Sequence, residues 1–182
     1  MARAKGIGLL CLLQLAGGAL GAQDPARVAA LFPDRPQGHV TDVAGVVPAA
    51  TRAQAESLAV RLRRTTGAEL AVVTLPTIGE YPAVDVAVAI GRAWGVGADA
   101  EVGDQRRNAG IILLLVPRNA NDPNSGQIFI ATGQGVEGVV TDAQAGRLRD
   151  AMLPALRAGD YGEGVLVGVA ALSSIVADGF GV

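Results

Sequence analysis

The chain has 182 residues, half of them hydrophobic, with one cysteine, one histidine and only 3% aromatic side chains. Its formal net charge of −2 at pH 7 is mildly acidic, which together with the scarce aromatics excludes a basic nucleic-acid-binding domain. A single thiol excludes both a disulfide framework and a thiolate metal cluster.

Residues 1–22 read as a cleavable signal peptide. Arg3 and Lys5 supply the positive start, 6–19 is an apolar run, and Ala19, Leu20 and Gly21 precede a cut after Gly21 or Ala22. An N-terminal anchor is the alternative, but the run is short of the ~20 residues a span needs, and Asp24 follows it closely. Gly8-Leu9-Leu10 lacks the small residue that precedes a lipid-modified cysteine, which argues against a lipoprotein anchor on Cys11. The protein is therefore expected to be exported, into the periplasm or the medium. The mature chain, about 160 residues, has the size of one domain. It loses Cys11 and keeps 13 arginines against 17 carboxylates, a charge of −4.

Prolines and charges interrupt residues 23–38, which predicts an extended arm. His39-Val40-Thr41-Asp42 is a short extended piece. Residues 48–66 carry Ala55, Leu58, Ala59 and Leu62 on one helical face, with Pro48 at the start and Gly67 at the capping position. Residues 69–75 are a strand stopped by Pro76. Residues 82–94 form a helix, with Val84, Ala87 and Val88 inward, and 97–109 a polar, glycine-containing loop. Residues 111–116 are apolar without interruption, as in a strand covered on both faces. Turn chemistry over 119–126 leads into a second strand at 128–131, so a hairpin is expected. Thr141 and Gln144 make a capping box for a helix running towards Ala158, with a kink expected at Pro154. A last helix starts near Tyr161, with Val165, Val169, Leu172 and Val176 on one face. Its fourteen-residue apolar stretch, 164–177, is too short for ~30 Å of hydrocarbon, and a buried core helix is the preferred reading.

This β-α-β-α-β-β-α-α order predicts an α/β domain with a mixed sheet and helices on both faces. It spans residues 39–178, leaves 179–182 as a tail, and is expected to be a monomer.

Gly133-Gln134-Gly135-Val136-Glu137-Gly138 matches G-x-G-x-x-G. Dinucleotide binding requires the helix to open inside the glycines, facing its N–H groups to the pyrophosphate. Here the cap comes later, at Thr141, and the preceding strand is the return of a hairpin. No nucleotide cofactor is expected. The glycines are read instead as a tight loop bringing Glu137 and Asp142 near each other. Ligands of open α/β sheets bind at the carboxyl ends of the strands. Asp42, the loop at Asp104 to Asn108 and the loop at Gly133 to Asp142 are all expected at such an end. Carboxylates with an Asn amide suit a hard cation, Ca²⁺ or Mg²⁺, and the proposed ligands are Asp42, Asp104, Asn108, Glu137 and Asp142. The bland alternative is that Asp42 and Asp142 cap loops and helices. Asp122-Pro123-Asn124-Ser125-Gly126 resembles the start of a calcium loop, but Gly133 occupies the position of its bidentate Glu, so a hairpin turn is preferred. His39, alone, lacks partners for a metal site or triad. Arg106 and Arg107 have the chemistry to grip a phosphate, or are solvated loop cations.

Several segments together resemble the TPM domain family. Val40-Thr41-Asp42-Val43-Ala44 looks like its opening signature, with Thr41 where an Asn is common. Gly67 to Thr74 looks like its first long strand, and Gly103 to Gly110 before Ile111 is similar to a further segment, with Asn108 and Gly110 in register. Gly133 to Asp142 is close to G-x-G-L-E-G-x-L-T-D, with Val136 for the usual Leu. Gly159-Asp160-Tyr161-Gly162-Glu163-Gly164 is similar to the start of its last helix. The resemblance implies a three-layer, Rossmann-like α/β/α sandwich. It further implies calcium binding or an acid-phosphatase-type activity in some members, and a part in assembling or repairing membrane complexes in others.

The leading functional expectation is an exported accessory domain that holds a divalent cation and assists an envelope protein or complex. A metal-dependent phosphomonoesterase is the second reading, with Asp42 or Asp142 as nucleophile or ligand and Arg107 steadying the phosphate. A metal-free interaction module is the third.

Overall fold

The computed structural model describes residues 25–97, 108–121 and 125–182. These form, in chain order, α1 (Pro25–Ala29), β1 (Val40–Asp42), α2 (Ala49–Thr66), β2 (Glu69–Thr74), α3 (Ala83–Trp94), β3 (Gly110–Val116), β4 (Gln127–Thr132), α4 (Asp142–Arg157) and α5 (Tyr161–Gly179). The signal segment 1–22, Asp104, Arg106, Arg107 and the Asp122-Pro123-Asn124 turn lie outside the described residues.

The four strands are ordered β1-β2-β3-β4, with β1–β2 and β2–β3 parallel and β3–β4 antiparallel. Helical crossovers make the first two pairs parallel, and the hairpin reverses the last. Side chains alternate across the sheet. Leu70 and Val72 of β2, and Ile111, Leu113 and Leu115 of β3, face α2, α4 and α5. Ala71 and Val73, with Ile112, Leu114 and Val116, face α1 and α3. The result is the expected α/β/α sandwich. All seven residues of β3 are buried, and at about 2 kcal/mol for each buried aliphatic side chain it ties both helical layers to the sheet.

Gly67 ends α2 in the left-handed conformation, φ 77°, at the position its sequence marks. Pro48 caps α2 one residue before the helix. α4 continues past Pro154 to Arg157, so the Asp150 carbonyl lacks the donor that a non-proline residue would supply.

The segment 23–38 departs from the extended arm expected of it. Pro25–Ala29 is helical, and Val28 and Phe32, four residues apart, are buried against α3. The Phe32 ring stands edge-on to Trp94, centroids 6.0 Å apart. Trp94 Nε1 donates to the Pro33 carbonyl at 2.9 Å. The Val28/Phe32 pair, hidden among prolines and charges, is the signal that the breakers obscure.

α5 runs to 19 residues, longer than its apolar stretch, and among the described residues it is the one helix long and apolar enough to cross a bilayer. Here it packs as a core helix, with Val165, Val169, Leu172 and Val176 fully buried. A side chain at Gly164 would strike Leu156, and one at Gly168 would come within 2.9 Å of Met152 Sδ. Small residues therefore let α4 and α5 close on each other.

The β1 edge is blunted by α2. The Glu56 carboxylate accepts from the His39 and Val40 N–H groups at 3.0 and 2.7 Å, so the strand start carries its own acceptor.

Candidate functional site

The structure separates the proposed site residues to two ends of the sheet. Asp42 pairs with Thr74, which pairs with Leu115, at the carboxyl end of the parallel strands. Asn108 lies two residues before β3, and Gly133 follows β4, whose Thr132 pairs with Ile111. Both therefore sit at the amino end. Six to seven residues of strand, about 20 Å at ~3.3 Å per residue, separate Asp42 from Asn108. The expectation that these loops share one carboxyl end is corrected accordingly. The antiparallel return of β4 carries the glycine loop to the opposite end.

At the amino end, three backbones are wedged together. A Cβ on Gly133 would collide with the Asn108 carbonyl oxygen, one on Gly110 with the Val96 carbonyl, and one on Gly97 with the Gly110 backbone. Gly133 N–H donates to Gly110 O at 2.8 Å, and Gly135 N–H to Asn108 O at 3.2 Å. Asn108 is the one described non-glycine residue at positive φ, 58°, a conformation Asn tolerates better than most. The glutamate at the start of β2 secures the neighbouring turn: Glu69 Oε2 accepts from Gly97 N–H at 2.9 Å.

A groove of about 600 Å³ opens over this wedge. α3 contributes Ala87, Gly91 and Arg92, and the strand ends contribute Ile112, Ala131 and Thr132. Asn108, Gln134 and Glu137 line the rest. Two of the five proposed ligands, Asn108 and Glu137, thus line one groove, together with a cation, Arg92, that the sequence does not single out. Arg92 sits in the last turn of α3, where a basic residue is ordinary helix chemistry, so its sequence carries no distinguishing signal.

Asp142 is exposed at the first position of α4, outside the groove lining. Thr141 accepts from Gln144 N–H at 3.4 Å and its own N–H donates to Gln144 Oε1 at 2.8 Å, completing the predicted capping box. The G-x-G-x-x-G turn closes before this cap, so its amides are not those of the helix start. Thr141→Ala should lower stability by about 1 kcal/mol, read as an earlier urea midpoint with an unchanged slope.

Asp42 has a different task. Its Oδ1 and Oδ2 accept from the Val46 and Val47 N–H groups at 3.1 and 2.9 Å. The Thr74 hydroxyl donates to Oδ1, and Thr74 Oγ1 accepts from Ala44 N–H at 3.2 Å. Every link holds the β1–α2 turn closed. Thr41, buried, accepts from Gln37 N–H at 3.0 Å, a role that needs no amide. His39 Nδ1 lies 3.0 Å from the Leu70 carbonyl, a satisfied histidine at the edge strand.

A second cleft, about 480 Å³, opens at the carboxyl end between β4 and α4. Leu115, Ile128, Leu153 and Leu156 form its apolar part, and Arg118, Arg157 and Tyr161 its polar rim. Tyr161 Oη accepts from Arg118 N–H at 3.0 Å, and Arg118 Nη2 donates to the Arg157 carbonyl at 3.4 Å. Neither arginine follows a motif, and only the fold brings them together. Among the described residues, no three His, Cys, Asp or Glu side chains gather in a way that could hold a metal ion.

Residues 40–175 match the family model of the TPM domain. The chain is similar to the N-terminal domain of a protein from P. gingivalis, with 30% identity and a TM-score of 0.66 over 87% of this chain and 90% of that one. It is similar in fold to an N-terminal domain from Corynebacterium glutamicum, with 19% identity, a TM-score of 0.56, and 79% and 82% of the two chains covered. A protein of the psychrophilic bacterium Bizionia argentinensis shows the same fold, with 14% identity, a TM-score of 0.56, and 75% and 85% covered. A search of the curated proteins finds no match.

Proposed function

The chain belongs to the TPM domain family, and from that premise we propose that it is an exported accessory domain that grips an envelope protein or complex through the groove at the amino end of β3 and β4. The observation carrying this reading is the groove itself. It is open and floored by small residues, and Arg92 and Glu137 stand on its walls as opposite charges. Such a channel suits an extended partner segment. Export rests on the sequence of residues 1–22 alone.

A calcium ion takes six to eight oxygen ligands. The described residues bring two side chains, Asn108 and Glu137, into one groove, while Asp42 faces protein donors at the other end. Two ligands are too few for the ion by themselves. A phosphomonoesterase needs an accessible nucleophile or metal; the Asp42 oxygens are turned to protein donors, which leaves the exposed Asp142 to fill that role.

A photo-crosslinking residue in place of Arg92, in the cell that exports the protein, should give one discrete adduct heavier than a dimer of the chain. Gly91→Phe, which fills the groove floor, should abolish it. An adduct indifferent to Gly91→Phe overturns the groove as the gripping surface. Saturable Ca²⁺ binding lost in Glu137→Gln would restore the cation site. Hydrolysis of p-nitrophenyl phosphate lost in Asp142→Asn would make the protein a phosphatase.

A further inference from the structure

We propose that the cleft between β4 and α4, at the carboxyl end of β3, is a binding site for a small aliphatic carboxylate. Its volume of about 480 Å³ suits a small molecule, whose sites run from ~300 to ~1,000 Å³. Leu115 and Ile128, paired across β3 and β4, belong to its wall. The cleft therefore lies at the opposite end of the sheet from the Arg92–Glu137 groove, and it is a separate site.

Its two halves differ in chemistry. Leu115 and Ile128 from the sheet, with Leu153 and Leu156 from α4, give an aliphatic wall. Ile128 and Leu153 are only half-buried, so the core leaves part of their surface uncovered. Arg118, Arg157 and Tyr161 form the rim, and a second hollow of about 340 Å³ opens from the same three residues.

The rim offers donors that no acceptor meets. Tyr161 Oη accepts from Arg118 N–H at 3.0 Å, which leaves the phenol its own hydrogen to donate. Arg118 Nη2 donates to the Arg157 carbonyl at 3.4 Å. That bond steadies the guanidinium at the end of α4 and accounts for one of its five N–H groups. The Arg157 guanidinium has no hydrogen-bond or ion-pair partner among the described residues. The chain has 17 carboxylates against 15 Lys and Arg, yet no described residue lining either hollow is acidic. Asp160, next to Tyr161 in sequence, is turned to Glu163 N–H as the cap of α5. An arginine at a helix end is ordinary. Two guanidinium groups and a phenol hydrogen beside an uncovered aliphatic wall ask for a ligand with both features. A carboxylate is acceptor-only and matches a guanidinium fork, and an aliphatic chain behind it covers the leucines. An inorganic anion would leave the wall bare, and a neutral chain would leave the donors unmet.

Titration calorimetry of the mature chain (residues 23–182) with octanoate tests the proposal. Saturable binding is expected, weakening about threefold for each methylene removed along hexanoate and butanoate. Acetate and octanol each carry half of the required chemistry and should bind at least about tenfold more weakly than octanoate. Arg157→Gln, at an exposed position, should weaken octanoate about tenfold. Arg118→Gln should act in the same direction. Gly91→Phe, in the groove at the other end, should leave octanoate binding unchanged. Absence of saturable heat at millimolar octanoate overturns the proposal. So does octanoate affinity unmoved by both arginine changes, or octanol binding as tightly as octanoate, since the arginines then play no part. Binding lost in Gly91→Phe would place the ligand at the other end of the sheet and overturn it as well.

Discussion

Gly133→Ala should destabilise the domain by about 3 kcal/mol or more, whereas Gly138→Ala, in the same G-x-G-x-x-G motif, should change stability by less than about 1 kcal/mol. The new Cβ at Gly133 would collide with the Asn108 carbonyl oxygen, 3.1 Å from its carbon and 3.4 Å from Gly110 N. All three neighbours are backbone, pinned by the Gly133–Gly110 and Gly135–Asn108 hydrogen bonds. No side chain there is free to swing away, so β3 and β4 themselves would have to part. A Cβ at Gly138 meets nothing within 4 Å, and alanine there only reduces the freedom of the unfolded chain. Urea unfolding of both variants checks this, with thermal midpoints falling by ~2–4 °C per kcal/mol for a domain this size. A Gly133→Ala protein as stable as the parent would mean that the turn is not packed on Asn108. The contrast also bears on what the motif is for. A phosphate cradle would show its glycines' value in ligand affinity, and a backbone wedge shows it in stability without any ligand.

The fold was legible because its elements are long and their periods clean. The unbroken apolar run in β3, the capping box at Thr141 and the four-residue stripe of α5 each name a local structure and a burial state together. The candidate site was less legible because it depends on direction. Asp42 closes one strand and Asn108 precedes another, so in a parallel sheet chain order already sets them at opposite ends; what invites grouping them is residue chemistry, which carries no direction. One antiparallel return, β4, was enough to send the glycine loop to the amino end and break the expected cluster apart. Asn108 illustrates a second reason. Asn is chosen equally by a cation, for its carbonyl, and by a left-handed backbone, for its tolerance of positive φ, and its φ of 58° supplies the backbone reason. Glu56, Glu69 and the Arg118–Arg157 pair went unnoticed for the converse reason. Each is an ordinary charge on a solvated pattern until tertiary contact gives it a partner far along the chain.

Asp42→Ala should cost about 3 kcal/mol in buffer containing EDTA, with Asp42→Asn costing roughly half as much. The carboxylate takes two backbone N–H groups and one hydroxyl. Alanine leaves all three without an acceptor, each worth about 1–3 kcal/mol if water is kept out. Asp42 is only half-buried, so water recovers part of that, and the expected loss stays at the low end of the sum. Asparagine keeps one acceptor oxygen and the shape of the turn, but its NH₂ faces a donor. The chelator makes the experiment decide between two roles. A carboxylate present as a cation ligand is a burden in the metal-free protein, and removing it there is neutral or stabilising; its loss would appear only when Ca²⁺ is added. A carboxylate present to close the β1–α2 turn shows its full effect in EDTA, and added Ca²⁺ leaves the difference unchanged. The hydrogen bonds that converge on Asp42 predict the second pattern. They also explain why an acidic residue stands at this turn in a domain whose other candidate ligands, Asn108 and Glu137, lie at the far end of the sheet.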